Sequence, residues 1–134
     1  NPLYIEKIAA ETQKNGFHPD TVVPLAFGGL RSGYLLGAAL SCEVMPVKFR
    51  TKVEFNVVPK VPRLHEINCT KIDDKRVLVH DEDSEEGKGC DLLRYHLEQA
   101  YDAKEVKTSV SMLTGHLKNK KIEYYGALDP NLAI

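Results

Sequence analysis

The stretch Arg76-Val77-Leu78-Val79-His80-Asp81-Glu82-Asp83-Ser84-Glu85-Glu86-Gly87-Lys88-Gly89 decides how this chain is read. Its opening, Val77-Leu78-Val79-His80, is a short apolar run suited to a buried strand. Residues 81–86 then carry five carboxylates in six positions, and two glycines follow within three residues. Next, Asp91 to Tyr101 predicts a helix, with Leu92, Leu93, His96, Leu97 and Ala100 on one face. Strand, glycine turn and helix in that order open an α/β unit.

The same order occurs upstream. Thr21 to Leu25 is a short apolar strand in which Pro24 lacks a ladder donor, so Pro24 is expected near the strand end. Ala26-Phe27-Gly28-Gly29-Leu30-Arg31-Ser32-Gly33 reads as a glycine-rich turn, and Tyr34 to Ser41 as an apolar helix. A first helix is predicted over Leu3 to Asn15, stopped by Gly16. Further strands are predicted at Val44 to Phe49, Glu105 to Leu113 and Ile122 to Ala127. Arg50 to Thr70, with Pro59 and Pro62, reads as an irregular hairpin or mobile loop. Such length in a small domain is usually functional or disordered. Alternating strands and helices predict one α/β domain over 1–134: a Rossmann-like, mainly parallel sheet of about five strands with right-handed crossovers, flanked by helices.

Composition narrows the function classes. The chain has 134 residues, 43% hydrophobic and 28% charged, with 18 basic against 19 acidic side chains. That balance gives no broad electrostatic footprint for nucleic acid. No apolar run reaches the length of a membrane span, and no secretory signal is expected. Cys42, Cys69 and Cys90 are widely spaced without a CxxC, which points away from disulfides and zinc and toward a reducing, cytoplasmic compartment. The five histidines form no HExxH.

In an open parallel sheet, ligands bind beyond the carboxyl ends of the strands. Both glycine turns, 26–33 and 81–89, leave such ends and lead into helices. Each can offer backbone N–H groups and a positive helix end to an anion. Either turn alone could be only a tight connection. Two at one edge, one of them acidic, form a more specific constellation.

On these residues the chain resembles the type I phosphoribosyltransferase family, over roughly Thr21 to Gly126. The family's second signature is an apolar strand, two acids, two variable residues and an acid-Thr-Gly-x-Thr loop, which Val77 to Gly89 follows. The first signature is similar to Phe27-Gly28-Gly29-Leu30-Arg31-Ser32-Gly33, most like bacterial and archaeal xanthine–guanine enzymes. The resemblance implies transfer of a phosphoribosyl group from phosphoribosyl pyrophosphate (PRPP) to a purine-like base, as in purine salvage. Asp81 and Glu82 would meet the ribose hydroxyls or the Mg²⁺ that accompanies PRPP. Glu85 would be the general base. Glu86, Gly87, Lys88 and Gly89 would form the 5′-phosphate loop, with the backbone of the last three as the cradle. Phe27, Gly28, Gly29 and Arg31 would form the pyrophosphate loop. Lys118, Tyr124 and Tyr125 lie near where a nucleobase would be read, although a solvated turn and strand packing explain them as well. Residues 50–70 would be a flexible hood, and a homodimer is implied.

The sequence also departs from the pattern. Glu86 and Gly89 stand where the family carries hydroxyls, and an ionised carboxylate cannot donate to phosphate. Two like charges 4 Å apart at an effective dielectric of 20 repel by about 4 kcal/mol. His80 ends a strand that is normally apolar throughout, and Phe27 stands where a basic residue often contacts pyrophosphate. The alternative implied is a catalytically reduced homologue that binds a nucleotide or metal for regulation or assembly. A GxGxxG dinucleotide fold has less support, since neither turn carries that motif. Cys90 is read as a small helix residue in preference to a reactive thiol, and His96 as a satisfied core or interface histidine.

Overall fold

The computed structural model describes residues 1–26, 28–50, 63–65, 72–84, 88–113 and 122–128. The elements run α1 (Pro2–Lys14), β1 (Thr21–Ala26), α2 (Leu30–Leu40), β2 (Glu43–Val44), β3 (Val47–Arg50), β4 (Arg63–His65), β5 (Arg76–Ser84), α3 (Lys88–Ala100), β6 (Glu105–Leu113) and β7 (Tyr124–Leu128). The sheet order is β4-β3-β1-β5-β6-β7, with β2 also on β1. β3, β1, β5, β6 and β7 form the expected five-stranded parallel sheet, and β4 pairs antiparallel at its edge. The β3–β4 pair agrees with a hairpin reading of Arg50 to Thr70; the rest of that segment lies outside the described residues.

The two faces of the sheet carry separate apolar clusters, because side chains alternate along each strand. Val77, Val79, Val106 and Val110 pack with Leu93 and Leu97 of α3. Val22, Leu78 and Tyr124 pack with Ile5, Ile8 and Ala9 of α1 and Leu36 of α2. Fully burying a Leu or Val of this kind contributes about 2 kcal/mol. Thr12 satisfies its buried hydroxyl by donating to the Ile8 carbonyl at 2.6 Å.

Several details of the elements differ from the sequence reading. The predicted strand over Val44 to Phe49 is split into β2 and β3 around Met45 and Pro46, where proline has no N–H to give a ladder. Pro24 lies within β1, not at its end. It is accommodated because β1 pairs with β2 at Thr21 and Val22 and with β3 at Leu25 and Ala26, and Pro24 falls where the partner changes. α2 begins at Leu30, so the segment read as a turn to Gly33 is already helical by residue 30. Gly33 is there for contact: a Cβ on it would lie 2.3 Å from Pro24 Cγ. Finally, β5 continues through Ser84, so Asp81 to Ser84 extend the strand and are not turn.

Candidate functional site

The carboxyl ends of β1 and β5 lie side by side, since β1 and β5 are adjacent and parallel with Pro24 opposite His80. Beyond β1 the chain turns through Gly28 and Gly29 into α2. Beyond β5 it passes into α3, which begins at Lys88. Gly29 is wedged against β5. A Cβ there would lie 2.7 Å from the His80 carbonyl oxygen, 3.0 Å from Asp81 Cα and 3.1 Å from the Leu25 carbonyl oxygen. A Cβ on Gly28 would lie 3.5 Å from Asp81 Oδ1. The glycine turn and the acidic strand end therefore share one rim.

The Gly29 N–H donates to the Leu25 carbonyl at 2.8 Å, so it is already engaged. No side chain caps α2 at its Gly29 N-cap. The first N–H groups of a helix have no intrahelical acceptor, so an anion at this turn would meet Gly28 and the opening of α2. Arg31, in that first turn, is exposed.

Asp81 is half-buried and its Oδ1 accepts from the Glu82 N–H at 2.8 Å. Glu82 points toward α2. Its Oε2 accepts from Ser32 Oγ at 2.8 Å and from Ser111 Oγ at 3.3 Å. Beneath it, His80 is fully buried. Its Nε2 lies 2.8 Å from Ser32 Oγ and 3.3 Å from Ser111 Oγ, and its Nδ1 lies 2.8 Å from Ser109 Oγ. Burial lowers the His80 pKa to about 4, so the ring is neutral at pH 7. The sequence reading did not find Ser32, Ser109 and Ser111, and treated His80 only as an anomaly. The signal was alternation: His80 and Glu82, like Ser109 and Ser111, are two apart and so share a strand face.

A hard, oxygen-only pair such as Asp81 and Glu82 fits Mg²⁺, which is commonly held by one or two carboxylates together with substrate phosphates. Among the described residues no three His, Cys, Asp or Glu side chains form a metal cage. Two carboxylates would complete the coordination of a metal that arrives on a phosphorylated ligand. Glu85, Glu86 and Gly87, as well as Phe27 and Lys118, lie outside the described residues. Lys88 and Gly89 open α3, so the stretch read as a phosphate turn passes into helix at residue 88.

The two tyrosines for which strand packing competes with a nucleobase role have different surroundings. Tyr124 is 1% exposed in the core under α1, so its ring has no free face for stacking. Tyr125 is half-buried, with Lys7 Nζ 4.2 Å from its ring centroid. Strand packing thus accounts for Tyr124. On the opposite face of the sheet, Glu123 accepts from the Thr108 N–H at 2.7 Å and its hydroxyl at 2.5 Å, and pairs with Arg94 of α3. Cys90 is buried and its thiol pKa is raised by that burial, as a packing residue requires. His96 is half-buried, edge-on to Tyr101 at 5.2 Å.

No protein-family model and no curated protein matches the sequence. The fold is similar to solved structures. One is a purine phosphoribosyltransferase from Pyrococcus horikoshii, with TM-score 0.69 and 21% identity over 98% of this chain and 84% of that one. A hypoxanthine phosphoribosyltransferase from Staphylococcus aureus gives TM-score 0.71 and 14% identity over 98% of this chain and 76% of that one. A hypothetical protein from Neisseria gonorrhoeae with bound ppGpp gives 0.70 and 16% over 98% and 80%. No helix among the described residues is long and apolar enough to cross a membrane.

Proposed function

We propose that this chain, whose fold is that of the type I phosphoribosyltransferases, transfers the phosphoribosyl group of PRPP to a purine-like base. The observation that carries the reading is the shared rim. Ser32, in the first turn of α2, donates to Glu82 at the end of β5, and Gly28 borders Asp81. A doubly anionic sugar needs its two charged ends held by separate donors with its hydroxyls between them. Here the Gly28 turn and the start of α2 would receive pyrophosphate. Gly87 with Lys88 and Gly89, at the start of α3, would receive the 5′-phosphate. Asp81 and Glu82 stand between and accept from ribose hydroxyls.

In the reaction the C1′–O bond to pyrophosphate breaks, its electrons leaving with the pyrophosphate. The base nitrogen supplies the pair for the new C1′–N bond, and Glu85 takes the proton that the base gives up. The backbone donors of the Gly28 turn stabilise the departing charge. A bound Mg²⁺ would add charge neutralisation on pyrophosphate. Asp81 and Glu82 would hold that ion and orient the ribose. A homodimer and a cytoplasmic location complete the proposal.

A second reading is a homologue that binds the nucleotide without turnover. It is favoured by Glu86, a carboxylate at a position where the phosphate loop needs a hydroxyl donor. One assay separates the two. With PRPP, Mg²⁺ and hypoxanthine, guanine, xanthine or adenine, the enzyme reading expects base-dependent pyrophosphate release that falls about 100-fold in Glu82→Gln. PRPP binding without release with any base contradicts it and selects the second reading.

A further inference from the structure

The buried cluster around His80 has four hydroxyl or ring donors and a small set of acceptors, so its protons can be counted. Ser109 Oγ donates to the Val79 carbonyl at 3.2 Å, which leaves it to accept from His80 Nδ1–H at 2.8 Å. Nε2 is then a bare acceptor. Two hydroxyls, Ser32 and Ser111, each with one proton, face His80 Nε2 and Glu82 Oε2, and Ser32 Oγ also lies 3.4 Å from the Gly29 carbonyl. The charged Glu82 Oε2 is the strongest acceptor within reach of Ser32, at 2.8 Å, and the Ser111 proton is then left for Nε2 at 3.3 Å. Both serine oxygens lie within hydrogen-bond distance of Glu82 on its Oε2 side, and Oε1 receives no bond among the described residues.

Three elements are joined: α2 through Ser32 and β5 through His80 and Glu82, both at the rim, and β6 beside them through Ser109 and Ser111. An apolar side chain at position 80 would leave two buried hydroxyls with one acceptor fewer, and they would rotate to other partners. We propose that His80 is a positioning residue: its neutral imidazole, protonated on Nδ1, holds Ser32 and Ser111 in register with Glu82 so that Oε1 is presented to a ribose hydroxyl or ligand-borne Mg²⁺. The identity of that ligand rests on the function proposed above. The hydrogen-bond arrangement does not.

The test has two arms. The first uses the ligand-free protein with ¹⁵N-labelled histidine at pH 7.5, the His80 signals being assigned by their loss in His80→Gln. The Nδ1–H tautomer is expected, and the Nε2–H tautomer overturns the arrangement. The second arm titrates PRPP with Mg²⁺ by calorimetry. His80→Val should weaken binding about tenfold. His80→Gln keeps an acceptor near the Nε2 position and should stay within about threefold of the parent. Both variants are compared at equal folded fraction by thermal melting, because a purely structural role would follow stability and not the polar group. Should His80→Val not fold, Ser111→Ala carries the arm, with a loss of about fivefold expected. Unchanged affinity in His80→Val or Ser111→Ala, or equal losses in the Val and Gln variants, overturns the positioning role while leaving the ligand assignment intact. A parent protein that binds no PRPP removes the ligand assignment and with it the positioning role, and the tautomer alone then decides the arrangement.

Discussion

His80 makes the acid stability of the free protein a residue-scale question. Its pKa is lowered from 6.5 to about 4 by burial among Ser32, Ser109 and Ser111, with the Glu82 carboxylate one serine away. In the unfolded chain the ring takes a proton near pH 6.5; in the fold it resists until about pH 4. Between those values the unfolded state binds more protons, so stability rises with pH. The His80 contribution is complete above about pH 6.5 and is lost as pH falls toward 4, amounting to about 3 kcal/mol across the window. Urea unfolding from pH 7 to pH 4 should therefore lose less stability in His80→Gln than in the parent. Parallel pH profiles would contradict this. Gly29 is the other position with no slack. Its Cβ direction meets two carbonyl oxygens and Asp81 Cα within 3.1 Å, and backbone atoms of that kind cannot swing aside. Gly29→Ala should lower the unfolding free energy by about 1–3 kcal/mol, and an unchanged urea midpoint would show that the turn is looser than described.

At the scale of elements, the sequence was most legible where periodicity alone decides. β6 runs Glu105–Leu113, as its alternation predicts, because its inward side chains are buried on both faces. It was least legible where a polar or glycine residue has a contact duty. The acids of 81–84 look like turn in the sequence, yet the backbone there continues β5 in register with β6 through Ser84. The glycine pattern predicts turn at Gly33, yet it lies within α2 against Pro24. The tie between α3, β6 and the start of β7 was not read at all. Glu123 links them by accepting from the buried Thr108 and pairing with Arg94, a contact between residues 15 and 29 positions apart that no local pattern announces. Glu123→Ala should cost about 1–3 kcal/mol in chemical denaturation, since it removes the carboxylate that accepts from Thr108 and pairs with Arg94. Glu11→Ala breaks an exposed pair with Lys7 at 3.6 Å and should cost no more than about 0.5 kcal/mol. Equal losses would mean that the inner tie is not the stronger one.

For the whole molecule, the parallel sheet and its two helical layers follow from alternating apolar strands and amphipathic helices, and the connectivity leaves little choice. That is why the fold was readable from one sequence. The site was readable only in outline. The adjacency of two turns follows from topology, but the serines that support Glu82 come from α2 and β6, and only the folded chain brings them together. Tyr124 illustrates the converse. Its place in sequence allows strand packing or a base platform, and the folded chain puts it under α1.

The central claim is that one rim holds both ends of one sugar diphosphate. Calorimetry of the full chain in Mg²⁺ with PRPP, and separately with pyrophosphate and ribose 5-phosphate, tests it most directly. The account predicts one PRPP per chain, displaced by either fragment, with pyrophosphate binding lost in Gly29→Ala. PRPP that gives no heat, or fragments that bind without displacing it, would contradict the claim.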